Sequence, residues 1–401
     1  MTRKESLLIF MLASIQFLHI LDFMIIMPLG DVFILDFKID ASKFSFMVSS
    51  YSISAGVFGL LGSVYLDYLD RKKAIMIAFV GFLIGTSLCA MATNYEFMVV
   101  GRIITGCFGG LISSLVLAIV GDEIGQEKRA RGMAYVMLGF SMSSVLGVPI
   151  GLFLANHFGW RVPFVLVVLL GLVLAIVMWF VLQNMTKHLE GDYRRKSLIV
   201  TTKAILENKQ LQRGIAFIFF LVLGQFTVIP FITPYLIRNV HILNDHIPFV
   251  YFAGGAMTLI SAPFIGKMAD KYGRKKVFYI IAPLSMVLIF VMTNLPVVPL
   301  AGVLLCNGLM FVVVSGRFIP SNALMTIIAP LHLRGSYMGF ITATINISAG
   351  IASIIAGQII VISKTDATMP VANFNYIGYV AIASSLMAIL VVSGIREKQA
   401  V

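Results

Sequence analysis

The chain carries one apolar run after another, each about 20 residues long, with short polar segments between them. A helix of that length, rising 1.5 Å per residue, crosses a hydrocarbon core about 30 Å thick. Lipid offers no hydrogen-bond partner to an open backbone, so each run must close its own bonds as a helix. The runs are continuously apolar and do not alternate, which excludes a transmembrane β-barrel. Composition agrees, because 59% of the 401 residues are hydrophobic and 12% are charged. That charged share is about half of what a soluble domain carries. Hydropathy predicts twelve helices, near residues 6–29, 45–66, 74–93, 97–119, 132–156, 162–183, 214–237, 247–266, 277–296, 299–322, 336–361 and 375–394.

A formal net charge of +12 raises nucleic acid as a partner, but the distribution of the charges argues against it. With the N-terminus inside, Lys38, Lys43, Arg161, Arg238 and Lys364 fall outside, and Arg102 and Arg317 fall within spans. The remaining Lys and Arg all lie on the cytoplasmic side. This is the positive-inside pattern, so the basic excess records topology, and both termini are expected in the cytoplasm. Arg3 and Lys4 ahead of an apolar run look like the start of a signal peptide. The run is too long for one, contains Gln16, His19 and Asp22 and lacks a small-residue cleavage site, so it is expected to stay as the first helix. Cys89, Cys107 and Cys306 fall in separate predicted spans with neither disulfide nor metal spacing, and are expected as small packing residues. No metal or other cofactor is expected.

The longest polar stretch, 184–213, divides the spans six and six. It predicts an N-terminal six-helix half (1–183), a cytoplasmic linker with some helical character (184–213) and a C-terminal six-helix half (214–401). An internal repeat supports the division. Sliding the chain by 203 residues brings Asp67 onto Asp270, Arg71 onto Arg274, Lys72 onto Lys275 and Lys73 onto Lys276. The same shift pairs Arg131 with Arg334, Gly132 with Gly335, Gly147 with Gly350 and Phe23 with Phe226. Six helices return the chain to its starting side, so the repeats are parallel.

The segment GKMADKYGRKK (266–276) resembles the signature loop of the major facilitator superfamily, G-x-L-A-D-R-x-G-R-K/R, and GSVYLDYLDRKK (62–73) is a looser copy. In the first copy Asp70 stands where the family has glycine and Tyr68 where it has a base, and Gly62 is one place out of register. The resemblance implies an all-α membrane protein with the major facilitator fold, twelve transmembrane helices in two six-helix pseudo-symmetric halves. The gating-loop candidates are Asp67, Arg71, Gly266, Asp270, Gly273, Arg274, Arg131 and Arg334. Gly273 can supply the positive φ that a tight turn needs. A carboxylate at Asp67 or Asp270 can meet a helix N-terminus. By the family pattern those termini are the starts of the eleventh and fifth helices, at Gly335 and Gly132. The plainer reading is a solvated basic turn that only sets topology.

Charges inside a bilayer cost at least about 2.5–3.5 kcal/mol each. Asp22 lies about 22 Å from the cytoplasmic edge of the first helix, and Arg102 about 7 Å from the opposite edge of the fourth. Both estimates give one depth, which suggests an ion pair. In the superfamily the first, fourth, seventh and tenth helices line the cavity, and Arg102 with Gly106 matches its R-x-x-x-G motif. Asp22 is then the proton-coupling carboxylate and Arg102 the group that tunes it. The alternative is a static pair joining two helices. His19, three residues before Asp22, is either a proton relay or a hydrogen-bonding packer. Gln16, Gln225 (the repeat position of Asp22), Arg317 and Asn322 are candidates for the substrate cavity. For Gln225 and Asn322, as for Asn307 and Asn346, the rival is an interhelical hydrogen bond, and for Arg317 it is snorkelling to the surface.

In the fifth helix Gly139, Ser143, Gly147 and Gly151 recur every four residues beside Pro149. Gly147, Pro149 and Gly151 resemble the superfamily's antiporter motif G-x-x-x-G-P-x-x-G, with one extra residue before the proline. That motif and GWRVPF (159–164) resemble the twelve-helix drug:proton antiporters. The resemblance implies a bacterial inner-membrane monomer exporting a small amphipathic compound in exchange for protons. Alternatives are an uptake symporter or facilitator for a small metabolite, and a non-transporting receptor or scaffold. HExxH, GxSxG and P-loop motifs are all missing from the sequence, so no enzyme is expected.

Overall fold

The computed structural model describes residues 1–66, 68–186, 198–330 and 333–396, and their side chains except at 63–66, 130 and 198–201. Twelve helices are long and apolar enough to cross a bilayer. They are α1 (Arg3–Ile25), α2 (Ala41–Gly62), α3 (Arg71–Ala90), α4 (Tyr95–Glu123), α5 (Gln126–Phe158) and α6 (Arg161–Val181) in the first half of the chain. The second half holds α7 (Lys209–Arg238), α8 (Asn244–Tyr272), α9 (Arg274–Thr293), α10 (Leu300–Ile328), α11 (Arg334–Ile359) and α12 (Phe374–Ser393). Among the described residues the only β pairing is an isolated bridge between Val361 and Ala372. The all-α class and the twelve spans expected from hydropathy are both found.

Several helices overrun their apolar windows because their ends carry charge that hydropathy reads as loop. α5 begins at Gln126, six residues before the expected start, and its Lys128 reaches Glu5 of α1 at 3.5 Å. α7 begins at Lys209, within the expected linker, because the Asn208 side chain accepts from the amides of Gln210 and Leu211. That is an N-cap, which ends the linker at a defined residue. Ahead of it lies a separate helix, Leu198–Glu207. α1 stops sooner than expected, at Ile25, with Pro28 three residues on. Proline cannot donate a helical bond and its ring crowds the preceding turn. A short helix, Gly30–Asp36, follows before α2.

The two copies of the signature loop make their turns by different means. α8 continues through Gly266 and Asp270 to Tyr272, so Gly273 alone forms the turn, at φ +95°. The expected loop residues Gly266 and Asp270 are therefore helical. In the first copy Asp70 has φ −50°, and its carboxylate accepts from the amides of Lys72 (2.7 Å) and Met185 (3.0 Å). The aspartate that departs from the family pattern is the N-cap of α3. The aligned lysines do the same job in each copy. Lys72 Nζ donates to the carbonyls of Trp179 and Leu182 at the end of α6. Lys275 Nζ donates to those of Ser393 and Ile395 at the end of α12. A cation at a helix C-terminus satisfies carbonyls that the helix leaves open.

The chain groups into two compact units, Met1–Ile26 with Ser50–Arg195, and Met27–Ser49 with Lys196–Val401. In the second, Phe217, Phe278, Leu324, Tyr337 and Val392 belong to one buried cluster. In the first, α3 and α4 approach so closely that a Cβ on Gly85 would sit 2.5 Å from the Thr105 amide nitrogen. α6 keeps Leu169, Leu172, Val173, Ile176 and Phe180 exposed, the surface expected where lipid is the solvent. At its start Arg161 lies 4.2 Å over the Trp160 ring and donates to Ala92 O at 2.8 Å, an anchoring role.

Gly273→Ala should cost about 1–3 kcal/mol through its φ alone, because its Cβ would meet no neighbour within 4 Å. Gly266→Ala, also in open space but helical, should be neutral or gain about 0.5–1 kcal/mol. Thermal unfolding in detergent checks the order, with Gly273→Ala melting below wild type and Gly266→Ala at or above it.

Candidate functional site

Asp22 and Arg102 form the ion pair that their depths suggested. Arg102 Nη1 lies 2.8 Å from Asp22 Oδ2, and both side chains are 0% exposed. The same nitrogen reaches the Asp22 carbonyl at 3.3 Å, and Thr86 of α3 donates to Asp22 Oδ1 at 3.2 Å. The guanidinium sits 4.4 Å over the ring of Tyr51 in α2, a cation–π contact. Four helices thus hold one carboxylate. Arg102 Nε and Nη2 are buried and make no hydrogen bond, so the carboxylate is the main compensation for this charge.

Glycine spacing in α4 builds the site. A Cβ on Gly106 would fall 2.4 Å from Tyr51 O, and one on Gly109 would fall 2.5 Å from Tyr51 Oη and 2.9 Å from His19 Nε2. These two glycines let α4 close onto α2 with Tyr51 between Arg102 and His19, which gives the R-x-x-x-G spacing a steric reason. Tyr51 Oη and His19 Nε2 are 2.7 Å apart, while His19 Nδ1 is buried and makes no hydrogen bond. His19 also meets Phe82 edge-on at 5.9 Å. It therefore touches the Arg102 side of the cluster through Tyr51.

α1 is backed by the small-residue face of α5. A Cβ on Gly139 would fall 2.5 Å from Ala13 O, on Gly147 3.1 Å from a Leu21 methyl and on Gly151 2.8 Å from an Ile25 methyl. Ser143 Oγ donates to Phe17 O at 2.6 Å. The face meets α1 along the stretch that carries Asp22. Residues Ser143–Gly147 form a single π turn before Pro149. Such π turns recur at functional sites.

The other predicted residues scatter. Gln16 and Gln225 are half-buried in their separate units, each with a buried amide oxygen that makes no hydrogen bond. Arg317 does not snorkel. It is 0% exposed and donates to Ser285 Oγ (3.2 Å), Ser385 Oγ (2.9 Å) and Leu221 O (3.3 Å), tying α10 to α9, α12 and α7. Asn322 is exposed. Asn307 donates to Val250 O between helices at 3.1 Å, whereas Asn346 bonds back to Thr342 O in its own helix, not across to another. Asp67 lies outside the described residues. Arg71 pairs with Asp122 at 2.9 Å. The Asp270 side chain is 77% exposed and lies 3.6 Å from Arg274. Arg131 is exposed, and Arg334, half-buried, opens α11. Sequence reasoning missed Tyr51 and Thr86, which apolar windows swallow, although Tyr51 stands in the hydroxyl-rich run SSYSIS.

The chain matches the Major Facilitator Superfamily over residues 12–353 and 215–399. It belongs to that superfamily and is a multi-pass membrane protein. Among curated relatives, an uncharacterized MFS-type transporter of Bacillus subtilis (strain 168), YbcL, is 27% identical over 205 residues, 51% of each chain. The chain thus spans about half the length of that relative. A probable sugar efflux transporter of Helicobacter pylori is 21% identical over 262 residues, 65% of each chain. The solved D-xylose-proton symporter superimposes with a TM-score of 0.78 at 17% identity, covering 98% of both chains, which shows the shared fold. These relatives are transporters, in line with the expectation that the chain is not an enzyme.

Removing one member of the Asp22–Arg102 pair should cost about 3–5 kcal/mol, because the other is left charged and buried. Asp22→Leu with Arg102→Met should cost less than the two single changes combined. Melting midpoints of the four proteins in detergent close this cycle. Additive losses would show that the pair is not the interaction holding α1 to α4.

Proposed function

We propose that the chain is a proton-coupled secondary transporter that exports a small amphipathic compound across the bacterial inner membrane by alternating access, with Asp22 as the coupling carboxylate. The buried Asp22–Arg102 pair carries this reading. A carboxylate whose charge is balanced by one arginine can take up a proton and release that arginine, so protonation and substrate binding compete for the same group. His19, joined to the cluster through Tyr51, is the relay in this scheme, and its Nδ1 is the open end. Gln16 and Gln225 offer amide oxygens without protein donors, which suits a substrate bearing hydroxyl or amine hydrogens. Arg317, locked among hydroxyls and a carbonyl, is assigned to holding α7, α9, α10 and α12 together. The turns with Asp67, Arg71, Asp270 and Arg274 keep the gating role that the superfamily resemblance gives them, and the basic excess sets both termini in the cytoplasm.

Export is favoured over uptake by the small-residue face and π turn of α5 behind Asp22, and by the sugar efflux relative. The likeness to a proton symporter leaves import as the second reading, and the direction of flux decides between them. In proteoliposomes a one-unit pH gradient should sustain about a tenfold gradient of a transported compound for each proton exchanged. Asp22→Asn should bring that ratio to about one while uncoupled equilibration of the compound persists. A pH-driven gradient that survives Asp22→Asn would falsify the coupling role.

A further inference from the structure

Two side chains of α1 present unpaired polar atoms on one helical face. Gln16 and His19 are three residues apart, a spacing that sets their Cβ atoms about 5–6 Å from each other. Gln16 Oε1 and His19 Nδ1 are both buried, and neither makes a hydrogen bond among the described residues. Three residues further on stands Asp22, so the face carries an amide, an imidazole and a carboxylate in succession. The amide oxygen can only accept. What this face can bind therefore turns on whether His19 Nδ1 carries a hydrogen.

The packing of the ring decides that. α4 covers one edge, because a Cβ on Gly109 would fall 2.9 Å from His19 Nε2 and 3.0 Å from its Cδ2. Nδ1 is the ring atom opposite that edge and faces away from α4. Nε2 is 2.7 Å from Tyr51 Oη, and Tyr51 is 2% exposed. Among the described residues the Tyr51 hydroxyl has no other hydrogen-bond partner. If Nε2–H donated, the Tyr51 hydrogen would lack an acceptor and Nδ1 would be a bare acceptor besides. If Tyr51 donates to Nε2, the one unpaired group is Nδ1–H. Each buried polar group left unpaired is costly, so the second arrangement holds. A doubly protonated ring is disfavoured by Arg102, whose guanidinium sits 4.4 Å over the Tyr51 ring.

We propose that Gln16 and His19 form a donor–acceptor subsite that selects substrates carrying a hydroxyl group, alcohol or phenol. A hydroxyl oxygen accepts from His19 Nδ1–H and gives its own hydrogen to Gln16 Oε1, so one atom pairs both groups. Two bonds of about 2.8 Å meeting at one atom match the step of about 5–6 Å along the helix face. An ether or a ketone can only accept, an ammonium can only donate, and a quaternary cation does neither. Each would leave at least one of the two groups unpaired. A site built around a hydroxyl rejects analogues without it for that reason.

The inference rests on the chain being a transporter whose substrate reaches α1, but on neither proton coupling nor the direction of flux. The test therefore reads binding, with no pH gradient. Solid-state nitrogen NMR of histidine-labelled protein in bilayers reports the tautomer of His19, its signals assigned by their loss in His19→Gln. At neutral pH the hydrogen should be on Nδ1. The same signal is then followed during titration with phenylethanol, thymol and phenyl glucoside, each beside its O-methylated counterpart, and with tetraphenylphosphonium. Alcohols and phenols should move the Nδ1 signal at concentrations at least about tenfold below their methyl ethers, and the cation should not move it. Gln16→Leu should bring that preference to about one while the Nδ1–H signal stays, because only the acceptor is lost. A hydrogen on Nε2, a doubly protonated ring, or a panel in which no alcohol or phenol outdoes its ether overturns the subsite. A preference that survives Gln16→Leu overturns it as well. Any of these results leaves the coupling role of Asp22 to the pH-gradient experiment.

Discussion

Lipid accepts no hydrogen bond, and most of this architecture follows from that. Each polar group placed at membrane depth has to find its partner inside the protein, and the partners found here decide which helices touch. Arg102 draws α1, α2 and α4 around one carboxylate, with α3 adding the Thr86 hydroxyl. Arg317 draws α7, α9 and α12 around α10 using only hydroxyls and a carbonyl. The two arginines solve one problem in chemically different ways. A carboxylate can be neutralised by a proton, and a serine hydroxyl cannot. In the proposed scheme the first half of the chain thus carries the proton-responsive group, while Arg317 in the second half is held in fixed company.

The repeat shows what duplication conserved. Lys72 and Lys275 close the last carbonyls of α6 and α12, so the ends of the two six-helix sets are tied to the turns that carry the signature loops. The turns differ because one uses a capping carboxylate at Asp70 and the other a positive φ at Gly273. Either device reverses the chain in a few residues. What the copies share is the job, and the residue that performs it can change.

The number of helices, the repeat and the Asp22–Arg102 pair were legible in the sequence because lipid penalises exceptions so heavily. A single charge in an apolar run stands out, and two at one depth point to each other. Helix ends were less legible: Lys209 and Gln126 look like loop to a hydropathy window, yet Asn208 and the overrun of α5 make them helical. Tyr51 was hidden for the opposite reason, since an aromatic ring is expected in a membrane helix. Its importance comes from Gly106 and Gly109 one helix away, a relation that exists only after packing. Asp31 and Arg238 lie beyond the predicted spans, where hydropathy singles out neither, although packing leaves both almost entirely buried.

The central claim is that Asp22 changes its protonation while it remains in the bilayer. Infrared difference spectroscopy of the reconstituted protein reads this directly, because a protonated carboxyl in an apolar setting has its own C=O stretch, which shifts in heavy water. Stepping wild type from alkaline to acid pH should produce such a band, and Asp22→Asn should lack it while keeping the rest of the spectrum. A wild-type spectrum without a buried carboxyl band at any pH where the protein is folded, or a band that persists in Asp22→Asn, would contradict the account.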